Sequence, residues 1–248
     1  MSFTDIVGHE TVKQLLKRAL ANQRVSHAYL FAGPKGVGKE LTAVQFAKAL
    51  NCLQEEEDSC GECRSCRKFA SGNHPDFKII SPEKNNITID QIRMLQKDIV
   101  YKPYESKWKI YIIDQADLMT TEGANSLLKT LEEPPGYAVI IMTSSRKDRI
   151  LPTIISRCQL LQFNKLPRDE IRDYLGQRDD LLTEEHNLEE IILLADGSIG
   201  QALKLLNNDQ LWQQRRKFLK FLINLDDKMN LEINELINSL DLGRDLER

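Results

Sequence analysis

Apolar residues in the first two thirds of the chain follow two kinds of spacing. Four segments carry them at intervals of three and four, which predicts helices with one buried face: residues 11–20, 41–52, 87–100 and 123–135. Three shorter segments are almost continuously apolar, as strands buried on both faces are: residues 26–33, 109–114 and 137–145. Buried strands that alternate with helices predict an α/β fold with a parallel sheet covered on both faces.

The strand pattern stops at about residue 164. Three helical patterns follow, at 166–177, 187–197 and 199–208, and they predict a small all-α domain over roughly 165–208. Residues 209–248 continue as a charged helical segment. We therefore predict an α/β domain over 1–164, a helical domain after it and a further helical segment at the end.

The segment at about 52–77 breaks this periodicity, because it is polar and rich in cysteine. Its cysteines have the spacing C-x7-C-x2-C-x2-C: Cys52, Cys60, Cys63 and Cys66. Spacings of two residues let neighbouring thiolates converge on one ion, and four sulfurs complete a tetrahedral zinc site. A redox pair or unrelated free thiols are the alternatives. We predict a structural zinc module inserted at about 52–77, whereas Cys158 stands apart and is interpreted as a packed, unreactive thiol.

A predicted strand, a glycine-rich loop and a predicted helix follow one another at residues 26–52, as in a phosphate-binding loop. The loop GPKGVGKE (33–40) matches G-x-x-x-x-G-K, whose backbone N–H groups and lysine hold phosphates: Gly33, Gly36, Gly38 and Lys39. The next residue normally offers a hydroxyl to Mg²⁺. Here it is Glu40, which would repel a nucleotide and which favours the positive end of the following helix by about 0.3–1 kcal/mol.

The predicted strand at 109–114 ends in Asp114, which is placed to hold Mg²⁺ through water. Gln115 follows it, at a position where this class of ATPase has glutamate. A carboxamide can orient a water molecule but cannot accept its proton. The loop is therefore interpreted as inherited and not catalytic, with ATP binding weak or absent.

The composition restricts the classes of partner. The chain has 248 residues, 41% of them hydrophobic, which is enough for one large core or two modest ones. Its net charge of −3 means that contact with DNA would need a local basic patch. Lys102, Lys107 and Lys109 surround Trp108, but we interpret them as solvated surface. Neither a signal peptide nor an apolar run of about 20 residues is found, so we expect a cytoplasmic protein without a membrane partner.

Five motifs occur in a fixed order across residues 1–208: SHAYLFAGPKGVGK, the four-cysteine insertion, GNHPDF, ANSLLKTLEEPP and TIISRC. Together they resemble the clamp-loader proteins of the AAA+ class, and in particular the delta-prime family of bacterial DNA polymerase III. The resemblance implies a P-loop AAA+ sheet flanked by helices, with a zinc-module insertion and a small all-α lid domain. It also implies that Val7 and Gly8, in FTDIVGH, line an adenine pocket if nucleotide is bound.

The clamp-loader family contains working ATPase subunits, called gamma or tau, and a delta-prime subunit that does not turn over ATP. Glu40 and Gln115 depart from the working pattern. Gly200 is a third departure, because G-S-I-G-Q-A-L stands where a working lid helix has an arginine, as in GSxRDAL. The resemblance therefore implies a non-hydrolysing, stator-like subunit that is not an ATPase by itself.

Arg157, in the Ser-Arg-Cys part of TIISRC, matches the arginine that family members project into the ATP site of a neighbouring subunit. The resemblance implies that it is an arginine finger that acts in trans. From the chemistry of the residue alone, an arginine at a helix end paired with a carboxylate would be the better interpretation.

The resemblance also implies a hetero-pentamer with gamma/tau ATPase subunits and a delta subunit, within the DNA polymerase III holoenzyme. That assembly would load the sliding clamp on primed DNA, which this chain would contact indirectly. Residues 209–248 would be only the start of a collar domain, in a truncated or a naturally short chain. Two rival functions remain open: an active gamma/tau-like ATPase subunit and a zinc-stabilised DNA-binding module.

Overall fold

A computed structural model describes residues 2–178 and 188–207, together with positions 214, 217 and 218. Five parallel strands form one sheet in the spatial order β2-β3-β4-β1-β5. They are β1 (Ala28–Ala32), β2 (Phe77–Ile80), β3 (Lys109–Ile113), β4 (Ala138–Ser144) and β5 (Gln159–Gln162). The predicted α/β fold with a parallel sheet is confirmed.

Six α-helices accompany the sheet: α1 (Glu10–Ala21), α2 (Lys39–Leu50), α3 (Arg64–Ala70), α4 (Ile89–Ile99), α5 (Thr121–Glu132) and α6 (Pro152–Ile155). The described residues that follow the sheet contain three more: α7 (Arg168–Gly176), α8 (Leu188–Ala195) and α9 (Ile199–Leu206). Short 3-10 turns lie at Phe3–Asp5, Ala116–Leu118 and Lys147–Arg149. Within the described ranges, none of these helices has both the length and the apolar character to cross a bilayer. The predicted helical segment over 209–248 lies outside the described residues, apart from its three isolated positions.

The two faces of the sheet each carry a hydrophobic core. On one face, Tyr29 and Phe31 of β1 pack with Phe46 of α2. On the other face, Leu30 packs with Leu95 of α4. Every residue of β1, β3 and β4 is buried. Burial on both faces explains why these three strands are almost continuously apolar in the sequence.

The two edge strands, β2 and β5, were not predicted from the pattern. Each is four residues long and has only one paired neighbour. Lys78 and Ile79 of β2 are exposed, as are both terminal glutamines of β5. Because these strands are short and partly exposed, they lack the continuous apolar signal of the central ones.

The three C-terminal helices have a core of their own, which includes Ile171 and Leu175 of α7, Ile192 of α8 and Ala202 of α9. In the described residues of 165–208, the predicted all-α character is confirmed. The predicted domain boundaries near residues 164 and 208 remain predictions.

Lys109 does not belong to a solvated surface, so that interpretation was wrong for this residue. Its side chain is 7% exposed, and its Nζ donates to the Asp98 backbone oxygen at 2.7 Å and lies 3.2 Å from the Asp98 carboxylate. Burial alone would raise the pKa of Asp98, but hydrogen bonds from Lys78, Tyr111 and Lys109 hold that pKa at about 2. Lys109 therefore ties β3 to the end of α4.

Candidate functional site

The carboxyl ends of the central strands bring the predicted nucleotide-site residues to one edge of the sheet. The glycine-rich loop follows β1, Asp114 follows β3, and Thr143 lies near the end of β4 in register with Phe31. In the sheet order, β1 lies between β4 and β5. This edge is where open α/β sheets bind their ligands.

The loop lysine is turned onto the loop's own backbone. Lys39 begins α2, and its Nζ donates to the carbonyl oxygens of Gly33 at 2.7 Å and Pro34 at 2.6 Å. The residue is 8% exposed, and this burial lowers the pKa of its amine, while the Asp117 and Asp114 carboxylates act in the opposite direction. The N-terminal cap of α2 is Gly38. The sequence-predicted loop residues are thus together, with the lysine amine held inside the loop.

Both carboxylate oxygens of Asp114 already accept hydrogen bonds. Thr143 Oγ1 donates to Asp114 Oδ1 at 2.6 Å, and Gln115 Nε2 donates to Asp114 Oδ2 at 3.1 Å. Thr143 Oγ1 also accepts the backbone N–H of Gln115 at 3.0 Å. Sequence reasoning missed Thr143. The sequence feature that could have pointed to it is a hydroxyl residue near the end of an otherwise apolar strand.

Glu40 adds a second negative charge at this edge. The residue as a whole is exposed, but neighbouring protein atoms keep part of the solvent away from its carboxyl group. This desolvation and the neighbouring Asp114 carboxylate raise the pKa of Glu40 above its ordinary value. The position that would normally supply a neutral hydroxyl to Mg²⁺ therefore carries an acid that Asp114 repels.

The first residues of the chain lie between the loop and the C-terminal helices. His9 Nε2 lies 2.8 Å from the Val37 backbone oxygen, and Val7 packs against the core of the lid. The space beside Gly8 is filled, since a β-carbon there would be 2.4 Å from Glu170 Oε2. That oxygen is buried, and no residue that the structure describes forms a hydrogen bond with it. The role of Val7 and Gly8 in an adenine pocket remains a prediction.

The first turn of α9 reaches the same loop. Ser198 Oγ donates to the Lys35 backbone oxygen at 3.0 Å, and the Gly200 N–H donates to the Gly36 oxygen at 2.9 Å. Ser198 also caps α9 by accepting the Gln201 N–H at 3.1 Å. Gly200 was singled out from the sequence, but Ser198 was not. A serine before an apolar helical run is a cap signal, yet it does not say what else the hydroxyl contacts.

The four clustered cysteines converge on one point. The sulfur atoms of Cys52, Cys60, Cys63 and Cys66 all lie within 4.8 Å of one another. Four sulfurs bound at about 2.3 Å to one tetrahedral zinc would be about 3.8 Å apart, and the Cys60 and Cys66 sulfurs are 3.9 Å apart. The residues present therefore fit a tetrahedral ion.

Backbone N–H groups point at three of these sulfurs. Cys60 N–H donates to Cys52 Sγ at 3.4 Å, Cys63 N–H to Cys60 Sγ at 3.3 Å, and Cys66 N–H to Cys63 Sγ at 3.4 Å. Burial alone would raise the pKa of Cys63, but hydrogen bonds from the N–H groups of Cys66 and Leu53 lower it to about 6. Such donors favour the thiolate, which is the form that binds metal. Burial instead raises the pKa of the isolated Cys158 to about 12, as an unreactive thiol requires.

GNHPDF fastens the cysteine segment to the sheet. The Asp76 N–H donates to His74 Nδ1 at 3.2 Å, so the proton of the neutral ring is on Nε2. His74 Nε2 lies 3.2 Å from Ser65 Oγ in α3 and 3.1 Å from Ser106 Oγ in the loop before β3. The ring also packs on Phe69, with centroids 4.3 Å apart and the ring planes inclined by 35°. His74 is thus a structural residue in this contact and not one of the four clustered ligands.

Asp76 holds the loop before β3. It is 2% exposed, and its carboxylate accepts three backbone N–H groups, from Tyr104 at 2.5 Å, Glu105 at 2.9 Å and Ser106 at 3.0 Å. We expect Asp76→Asn to lower the free energy of unfolding by about 2–4 kcal/mol, because an amide replaces a buried charged acceptor. Urea denaturation measures this. The exposed Asp148→Asn is the matched control, and an equal loss in both variants would contradict the assigned role.

Arg157 lies at the surface, just after α6. Its Nη2 donates to Glu132 Oε1 at the end of α5 at 2.7 Å, and its Nη1 donates to the Thr153 backbone oxygen at 2.9 Å. The arginine side chain is 34% exposed and that of Glu132 is 51% exposed. An exposed ion pair of this kind contributes only about 0–1 kcal/mol. The guanidinium can therefore exchange Glu132 for another anion at little cost.

Comparison with known proteins places the chain in a family. The family model described as "DNA polymerase III, delta subunit" matches residues 8–167. DNA polymerase III subunit delta' of Bacillus subtilis is 38% identical over 209 residues, which cover 84% of this chain and 62% of that protein. Subunit tau of the same organism is also 38% identical over 209 residues, which cover 83% of this chain and 37% of that protein. This chain thus spans only part of each relative, and percentage identity does not separate the two.

Solved structures agree on the fold. A DNA polymerase III gamma subunit-related protein of Thermotoga maritima has a TM-score of 0.52 and 24% identity, over 88% of this chain and 66% of that one. A variant of Thermotoga maritima RuvB has a TM-score of 0.57 and 16% identity, over 96% and 83%. At these identities the likeness concerns the fold alone, which is the P-loop AAA+ fold. With the match of the family model to most of its α/β part, the chain belongs to the DNA polymerase III delta subunit family.

Proposed function

We propose that this protein is a non-hydrolysing, stator-like subunit of a bacterial replicative clamp loader, of the delta-prime kind. One observation carries the proposal. The three departures from a working ATPase are far apart in the sequence, yet each lies in the phosphate loop, against it, or on the Asp114 carboxylate beside it. Glu40 follows the loop lysine, Gln115 is bonded to Asp114, and Gly200 contacts Gly36. Changes that converge on one site are expected when the chemistry of that site is no longer needed.

The neighbouring ATP site is where this subunit would act. Arg157 lies at the surface on a short helix end and is held by one exchangeable ion pair. In the proposed assembly, it would reach the ATP bound by an adjacent gamma/tau-like subunit. There its guanidinium would stabilise the charge that develops on the transferred phosphoryl group. A delta subunit would complete the ring, and the sliding clamp and primed DNA would be its substrates.

The four cysteines would hold one Zn²⁺ with a structural role. When bound, the ion would cross-link the residue 52–66 segment and leave no open position for chemistry. The N–H donors at the sulfurs would stabilise the thiolates. His74 and Asp76 would transmit this rigidity to the sheet.

ATP turnover by the chain alone tests the central claim. With Mg²⁺ and zinc supplied, we expect no turnover above background, because no carboxylate follows Asp114 to accept a proton from the attacking water. Lys39→Ala should leave that background unchanged. Robust turnover that disappears in Lys39→Ala would instead identify an active gamma/tau-like subunit. Salt-sensitive binding to DNA by the isolated chain would favour the DNA-binding module.

A further inference from the structure

We propose that the lid helix α9 closes the phosphate loop of this chain, and that Gly200 is the residue that makes the closure possible. The inference deepens the proposed function, on which it rests, by naming what keeps a polyphosphate out of the loop. In this proposal, glycine at position 200 has a structural role of its own in addition to replacing the arginine of a working subunit. It lets two backbones come into direct contact.

The contact between α9 and the loop has two hydrogen bonds. Gly200 N–H donates to the Gly36 oxygen at 2.9 Å, and Ser198 Oγ donates to the Lys35 oxygen at 3.0 Å. Ser198 is only 6% exposed, because its hydroxyl lies in the contact between the lid and the loop. Both bonds join backbone or short side-chain groups, so the two segments have little room to separate while the bonds remain.

The approach is too close for any side chain at residue 200. A β-carbon there would lie 2.9 Å from the Gly36 α-carbon and 3.0 Å from the Gly36 oxygen. On the facing side, Gly36 has φ of +75°, and a β-carbon there would lie 2.4 Å from Ser198 Oγ. Glycine is therefore required on both sides of the contact. A lid helix with arginine at this position could not pack on the loop in this way.

The remainder of the lid is fastened in the same position. Val7, which precedes α1, packs against the lid core, and within the lid the Leu166 N–H donates to the Gly197 oxygen at 2.9 Å. At the loop itself, the Lys39 amine is bound to the Gly33 and Pro34 oxygens. A polyphosphate needs the loop's N–H groups and that amine. We infer that α9, which is bonded to the Lys35 and Gly36 carbonyl oxygens, must move before the loop can accept a polyphosphate.

The test compares Gly200→Ala with the wild-type chain and with Gly136→Ala. Residue 136 is exposed, and a β-carbon there would meet no atom within 4 Å, so this control adds the same methyl group without a clash. We expect faster hydrogen exchange at residues 35–39 in Gly200→Ala only. We also expect that variant to bind ATP–Mg²⁺ and inorganic tripolyphosphate at least about tenfold more tightly in calorimetric titration, since opening the lid raises the fraction of competent loops.

A second variant keeps the proposal testable if the Gly200→Ala chain does not fold. Ser198→Gly removes the hydroxyl bonded to Lys35 and replaces it with a residue that is itself tolerated as an N-terminal helix cap. It should change exchange and affinity in the same direction. Unchanged exchange in both variants, or faster exchange without tighter phosphate binding, would overturn the proposal. These results would leave the proposed function standing, because its tests are the absence of turnover by the chain alone and the stimulation of a neighbouring ATPase, and neither result depends on whether α9 closes the loop.

Discussion

Arg157→Ala is expected to lower the ATP turnover of a reconstituted clamp loader by about 10³–10⁵-fold at the site that this subunit faces. The assay mixes the full chain with gamma/tau and delta subunits, clamp and primed DNA, and follows phosphate release. Arg157→Lys should rescue little, since an ammonium keeps the charge but not the planar fork that contacts a phosphoryl group. If several sites in the assembly hydrolyse ATP, the total turnover should fall only by the part that the site next to this subunit contributes.

Folding should be unaffected by this substitution, which separates a catalytic loss from a structural one. Arg157 pairs with an exposed Glu132, and such pairs stabilise proteins by about 0–1 kcal/mol. Glu132→Gln releases the guanidinium and should leave the stimulation intact. The matched control is Arg149→Ala, which removes another exposed arginine from a nearby 3-10 turn. If Arg157→Ala stimulates the neighbour as well as Arg149→Ala does, Arg157 is not a finger.

Cys66→Ser is expected to abolish stoichiometric zinc binding and to destabilise the chain by several kcal/mol. Cys66 is fully buried, at 0% exposure, and a hydroxyl replaces one of the four sulfurs. Structural zinc contributes about 10–16 kcal/mol in isolated zinc fingers. The effect here should be smaller, because Asp76 and His74 anchor the segment without metal. For a chain of this size, each kcal/mol corresponds to about 2–4 °C in Tm.

Metal analysis and thermal unfolding measure the two parts of this prediction. The wild-type chain should carry one zinc, and cobalt substitution should give the absorption of a tetrahedral thiolate site. Cys158→Ser is the control, since that partly buried thiol lies apart from the cluster and packs against the core that includes Ile154 of α6. A wild-type chain that stays metal-free in zinc-containing buffer, or a Cys66→Ser chain that keeps its zinc, would refute the site.

The central part of the fold could be predicted because its signals are local. Strands β1, β3 and β4 are buried on both faces and read as apolar runs, while α1, α4 and α5 bury one face and read as periodic. The edge strands β2 and β5 escaped prediction, since half-exposed strands of four residues have too few positions to show a period.

The candidate residues were visible as types and spacings, but not as contacts. Four cysteines at metal-ligand spacing predicted a cluster, and the structure brings their sulfurs together. Thr143 could not be connected with Asp114, because the bond between them depends on the register of β3 and β4. Lys109 was interpreted as solvated, since nothing in the sequence shows that it is buried in an ion pair with Asp98.

The sequence by itself determined the three central strands, the helices α1, α2, α4 and α5, the phosphate loop, the cysteine spacing and each family motif, because each depends on residues that are close together along the chain. Only the tertiary structure decided that Asp114, with Gln115 bonded to it, lies beside Glu40 and that α9 lies directly on Gly36. Contacts of that kind are set by how the lid packs on the sheet. Packing between distant segments produces no periodic pattern in the sequence. At position 200 the sequence shows only that the residue is glycine, which has no side chain.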